Sequence, residues 1–226
     1  MTRPQDVTEI FNNKSGIDND YSLREALIAF GVKNEDLRRA WHQPYPSDRC
    51  YLSNNPLNPQ HMCFIKWVQD SYRKHLLTPQ TLEQMCTVFV ESLLNNISID
   101  NLAYCMRGET SLFSLYSMIR NVMVEASAQS MFGPHLHEID PNIVEHMLMF
   151  NDNAWQVVMR HPDFFGTLAV SKPRKRMIAI MRKFVERPSD GSRLANSFVR
   201  NVLSMMDTTK LDMDSRAAMM LMIFWA

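Results

Sequence analysis

Leu211-Asp212-Met213-Asp214-Ser215-Arg216-Ala217-Ala218-Met219-Met220-Leu221-Met222-Ile223-Phe224-Trp225-Ala226 closes the chain. Two aspartates stand ahead of an unbroken apolar run. A carboxylate at that place accepts hydrogen bonds from orphan first-turn amides and sits at the positive end of the helix dipole. The stretch therefore predicts a helix over Asp212 to Ala226, capped by Asp212 or Asp214. The apolar part, Ala217 to Ala226, is ten residues, about half of the roughly 20 that span a bilayer, so it reads as a helix buried in protein. No Gly, Lys or polar exit follows the apolar stripe, and the helix is expected to be cut there rather than finished.

Working back from it, helical periodicity and stop signals divide the chain. Arg193 to Met206 reads as one helix and the basic Ser171 to Glu186 as another, with Pro188 beyond it. Asp140-Pro141 opens a helix carrying Ile143, Met147, Phe150, Ala154 and Val157 to His161, where Pro162 stops it. Thr110 to Met131 is a long helix closed by Gly133-Pro134. Earlier, Thr78-Pro79 starts a helix to Asn96 whose Leu82, Met85, Phe89, Val90 and Leu93 mark it as a core element. Pro59 suits a first helical position, with a helix to Leu77. Asn34 opens Glu35 to His42, an Asn/Pro-rich loop runs on to Asn58, and Ser22 with Glu25 forms a capping box for Ser22 to Phe30, ended by Gly31. Thr2 to Asn13 is a short amphipathic segment. With only six glycines and eighteen methionines, composition also favours helix, and the expected class is all-α in a single domain over 1–226.

Several function classes are excluded on composition. Lys plus Arg and Asp plus Glu are 24 each, so no global field draws the chain to a polyanion. The polar N-terminus with Arg3 and Pro4 lacks the apolar core of a signal peptide or anchor. Cys50, Cys63, Cys86 and Cys105 form no Cys-x-x-Cys pair and read as reduced packing residues, none placed as an axial ligand. No Gly-x-Ser-x-Gly elbow or Gly-rich phosphate loop exists. His135, His137, Glu138 and His146 could offer zinc ligands, but they follow Gly-Pro and read as solvated loop residues. Lys172, Arg174, Lys175, Arg176, Arg182, Lys183 and Arg187 read as a solvated helix face.

From Thr110 onward the order of segments resembles the middle of a cytochrome P-450. The pieces are the helix ending in Met131-Phe132-Gly133, the Asp140-Pro141 helix with Phe150-Asn151-Asp152, the Ser171-Lys172-Pro173-Arg174-Lys175-Arg176 start, the helix from Arg193, and Ala217 to Ala226. They are similar to helices E, F, G, H and the first half of helix I. Pro4 to Phe11 resembles the helix before the heme-facing loop, and Asn58-Pro59-Gln60 to Leu76 resembles helix C. The tone is that of fungal microsomal members distantly like prostacyclin synthase and sterol 7α-hydroxylases.

That resemblance implies a partial P-450-like fold, helices B to the first half of I, without the half that holds the heme cysteine. It implies a heme-thiolate monooxygenase, iron- and heme-binding, that oxidises a small apolar substrate with a reductase when complete, at the endoplasmic reticulum membrane, and a chain inactive alone with a half-open core. Family members carry Trp-x-x-x-Arg in helix C, the arginine touching a heme propionate. Here Ser71 stands four positions after Trp67, where the motif has arginine, and Arg73 stands six after it, so Trp67 and Arg73 become the cofactor candidates. Met222 and Phe224, with the loop Tyr45 to Leu57, are expected to border the substrate cavity. The competing expectation is a non-enzymatic helical module that binds another protein through exposed apolar helix faces.

Overall fold

The computed structural model describes residues 20–42, 58–97, 114–159, 161, 168–187 and 195–225. Among them every regular element is a helix and no strand occurs. In chain order these are α1 (Asp20–Phe30), α2 (Asn34–Trp41), α3 (Phe64–Leu76), α4 (Pro79–Asn96), α5 (Leu115–Phe132), α6 (His135–Ile139), α7 (Ile143–Val158), α8 (Ser171–Glu186), α9 (Ser197–Thr209) and α10 (Met213–Trp225). The expected segment Thr2 to Asn13, the loop Tyr45 to Leu57, Cys50 and Cys105 lie outside the described residues.

α10 is the centre. Its sequence is apolar nearly all round, the mark of a helix buried in a core, and Ala217, Ala218, Met219, Met220, Leu221 and Phe224 are buried. It packs along α8 and against α1, while α7 lies on α5 and α8, and α3 lies on α9. Two aromatic chains tie the layers. Phe132 of α5 meets Phe184 of α8 at 5.4 Å and Phe224 of α10 at 5.1 Å, both edge-on. Phe30 of α1 meets Phe150 of α7 at 5.9 Å and Trp225 of α10 at 5.5 Å. Such edge-on pairs add to area burial about 0.5–1.5 kcal/mol each. The remaining core volume is filled largely by methionine, with Met177, Met181, Met205, Met206 and Met220 almost fully buried.

A buried carboxylate fixes where α10 begins. Asp212, the expected cap, accepts from the Asp214 amide at 3.0 Å. Asp36 of α2 reaches the same helix start across the fold, accepting from Ser215 Oγ at 2.6 Å and from the Asp212 amide at 3.3 Å. Ser215 Oγ in turn accepts from the Lys33 amide at 3.1 Å, and Lys33 Nζ pairs with Asp212 at 2.8 Å. Arg39 stands 3.7 Å from the Asp36 carboxylate. A carboxylate removed from water is tolerable only with such partners.

The turn from α1 into α2 uses Gly31 at φ +111, where amides of Gly31 and Val32 both return to the Leu27 carbonyl. A Cβ there would stand 2.9 Å from an Arg174 guanidinium nitrogen.

Several expected boundaries move. α1 begins at Asp20, so Ser22 and Glu25 lie inside it and make no capping box. Pro59 does not start a helix: Asn58, fully buried, closes a turn by bonding both the Met62 amide and carbonyl at 3.0 and 2.9 Å, and α3 begins at Phe64. α5 starts at Leu115, capped by Ser114, and α9 starts at Ser197, where the Asn196 side chain accepts from the Val199 amide at 2.8 Å. α4 is not a core element, since none of its residues is buried; it lies on α5 and α3 with Val90 and Leu94 in solvent.

Replacing Asp36 by Ala is expected to lower the unfolding free energy by about 2–3 kcal/mol, because the Asp212 amide and Ser215 hydroxyl lose a charged acceptor. Ser215→Ala should cost about 1 kcal/mol, and the double variant should cost less than the sum, since both act in one network. Urea unfolding of the three variants measures this. Gly31→Ala should cost at least about 1 kcal/mol through strain at positive φ.

Candidate functional site: an apolar cleft

Helical stripes from four elements converge on a cleft of about 700 Å³. α1 contributes Leu23 and Leu27, α9 contributes Phe198, Val202 and Met206, and α10 contributes Met219, Met222 and Ile223. Each set recurs at three- or four-residue spacing, which puts it on one helix face. α3 supplies the opposite wall with Phe64, Val68, Gln69, Tyr72, Arg73 and Leu76, and Met131 of α5 closes one end. Phe64, Phe198, Val202, Met206 and Met219 are buried, whereas Tyr72, Arg73 and Leu77 are exposed. The Tyr72 ring stands edge-on to Phe198 at 5.9 Å.

Among the expected site residues, Arg73 and Met222 come together as lining of this cleft. Trp67 does not: it is buried in the core cluster and absent from the cleft. Phe224 is likewise held in the core against Phe132. Among the described residues, Arg73 is the only charged side chain of the lining, and it makes no ion pair or side-chain hydrogen bond. The contribution of α9 was not anticipated, because an apolar stripe at helical spacing looks the same whether it faces a neighbour or a cleft.

Behind the wall, α3 and α9 are joined by a polar ladder. Asn201 Nδ2 donates to Ser71 Oγ at 2.7 Å, His75 Nδ1 is 3.0 Å from Ser197 Oγ, and Asn201 Nδ2 is 3.5 Å from His75 Nε2. Burial, then the charges of Lys74 and Arg200, hold the His75 imidazole below its ordinary pKa. The four side chains join two helices over contacts far apart in sequence, and the ladder reads as a structural clasp.

His135, His137 and His146 are not loop residues in solvent. His135 and His137 belong to α6, His135 is buried, and His146 lies on α7. Each faces its own carboxylate. His135 Nδ1 is 3.0 Å from Glu138, which also accepts from Arg187 at 2.6 Å. His137 Nε2 is 2.8 Å from Glu125, whose other oxygen accepts from Gln129 at 3.1 Å. His146 is 3.2 Å from Asp140, which Arg176 also holds at 2.7 Å. Among the described residues no group of three or more such side chains gathers in a way that could hold a metal. The basic face of α8 is largely exposed, with Arg176, Arg182 and Arg187 tied to acids of α6, α10 and neighbouring turns.

Burial raises the Glu125 carboxyl, but the hydrogen bonds from His137 and Gln129 and the His137 charge outweigh it, leaving the group below the ordinary carboxylate value. Asp140 follows the same pattern: burial raises it, and Arg176, the Asn142 amide and His146 bring it down.

Comparison of the chain with protein-family models, with curated proteins and with solved structures returns no match.

A carboxyl whose folded pKa is depressed stabilises the fold above its unfolded pKa and ceases to do so as pH falls through the folded value. Glu125→Gln is therefore expected to cost about 1 kcal/mol near neutrality, the scale of one charge-assisted bond discounted for partial exposure. The difference from the parent should shrink as pH drops below the ordinary value of 4.5. Urea unfolding near neutrality and in acid reads the two stabilities.

Proposed function

We propose that the chain is the helical portion, from the region of helix B to the first half of helix I, of a heme-thiolate monooxygenase of the cytochrome P-450 type. The complete enzyme would insert one oxygen atom into a small apolar organic substrate, supplied with electrons by a reductase. The observation that carries this reading is the cleft in which Arg73 and Met222 meet. It is apolar, of the size ordinary for a small-molecule site, and walled by the elements that the resemblance assigns to helices C, H and I.

The described lining is apolar apart from Gln69, Tyr72 and Arg73. Among the described residues it offers no thiolate or imidazole: Cys63 is buried elsewhere, Cys86 is exposed on α4, and neither lines the cleft. The described lining therefore does not fit a ligated heme by itself, and no step of the reaction is assigned to it. Its part is to exclude water from the substrate and to hold the substrate's orientation. No helix among the described residues is long and apolar enough to cross a membrane.

A second reading, a non-enzymatic helical module that binds another protein, draws on the outer side of α4 and α5. There Leu94 is 65 % exposed, Leu115 61 % and Tyr116 70 %, apolar surface of the kind that marks interaction faces.

The purified chain is expected to show no NADPH-dependent oxidation of apolar substrates with a reductase added; steady turnover would count against the assignment of the axial ligand elsewhere. Sequencing the native message beyond the Ala226 codon tests the reading itself. The expected frame continues into an acid- or amide-Thr motif, a Glu-x-x-Arg pair and a Cys-centred heme loop. A stop at that codon in every expressed message, together with a monomeric chain that melts cooperatively, would replace it with the interaction module.

A further inference from the structure

The charge pattern of the cleft narrows what it can take. Seventeen described residues line it, and among them Arg73 alone is charged. No acid among the lining answers the guanidinium, and no described residue pairs with it. Several arginines of the fold are paired: Arg39 bonds Glu35 at 2.5 Å, Arg176 bonds Asp140 at 2.7 Å, and Arg182 bonds both Glu186 and Asp214; Arg38 is exposed without an ion pair as Arg73 is, but it does not line the cleft. Arg73 lies on the same face of α3 as Gln69, Tyr72 and Leu76 and is exposed, a placement that lets a long side chain cover apolar surface with its stem and keep its head in water. A planar guanidinium at such a place offers paired N–H donors matched to a carboxylate.

Taking the cleft as the substrate site proposed above, we infer that its ligand is a long-chain apolar monocarboxylate, with the carboxylate on Arg73 and the chain laid between α3 and α10 over Phe198, Met219 and Met222. A neutral ligand of the same length fills the same trough and leaves Arg73 without its partner. The preference should therefore be set by the head group alone. An ionised acceptor on arginine at a partly exposed site is worth about 1.4 kcal/mol or more, which is about tenfold in affinity.

Binding of sodium palmitate, 1-hexadecanol and hemin to the full chain, followed by displacement of an apolar fluorescent probe, tests this. Palmitate is expected to bind about tenfold more tightly than 1-hexadecanol. Arg73→Gln should remove that preference while leaving 1-hexadecanol unchanged, and Arg73→Lys should restore part of it. Met222→Trp, which fills the trough, should weaken both ligands. Equal affinity of the acid and the alcohol, or a preference that survives Arg73→Gln, overturns the carboxylate assignment while the apolar cleft stands. Failure of both ligands to bind, or indifference of both to Met222→Trp, removes the substrate site itself. Hemin bound in an Arg73-dependent manner, with palmitate no better than the alcohol, would show that the guanidinium serves a propionate and would also overturn the inference.

Discussion

The hydrogen bonds that Asp36 accepts from Ser215 and from the Asp212 amide hold the two ends of the described fold together. They join the short α2 to the first turn of α10, which is the helix that most of the core surrounds. The energetic sense is lopsided. The bonds add modestly to stability when made, but a buried carboxylate stripped of them, or a helix start stripped of the carboxylate, bears the full desolvation penalty. The interaction therefore acts chiefly on register. If α10 slid by one residue, Ser215 would leave Asp36, and the apolar stripe that meets Phe132 and Phe30 would turn out of line.

Register at that end decides the shape of the cleft at the other side. Met219, Met222 and Ile223 reach the cleft from the same helix whose Ala217, Ala218 and Met220 are buried in the core. One helix thus serves as interior wall and as cleft wall, and the two roles are separated only by rotation about its axis. The opposite wall is set by α3, and the Ser71, His75, Ser197 and Asn201 ladder keeps α3 and α9 at a fixed relation. Two polar clamps thus bear on the cleft, one joining its α3 and α9 walls and one fixing the start of α10.

The helical class was legible from periodicity and from punctuation. α8 runs Ser171 to Glu186 as its sequence pattern indicates, because a clean amphipathic stripe sits between a Ser-Lys-Pro start and a following proline. α4 has an equally clear stripe and yet its Leu82, Met85, Phe89 and Leu93 are only half-buried, since periodicity tells which face is apolar and not what covers it. His135 was misplaced for a related reason: Gly133-Pro134 does end α5, but a five-residue helix follows at once and turns the imidazole inward. Arg73 and Met222 could be marked in advance by residue type and by family resemblance. Their meeting in one cleft depends on contacts far apart in sequence, as does the Asp36 cap, and no local pattern encodes those.

The methionine-filled interior has a chemical consequence of its own. Thioethers are flexible and polarizable, so they let helices settle against one another without close shape matching. They are also oxidisable, and a sulfoxide is polar. Met149 and Met159 of the α7 region are 46 % and 69 % exposed, while Met177, Met181 and Met205 are at 0 %. Oxidant arriving from solvent meets the outer sulfurs first, where a new S=O is hydrated at little cost. The inner ones are shielded for as long as the helices stay packed, so the molecule's resistance to oxidation is a readout of how often its core opens.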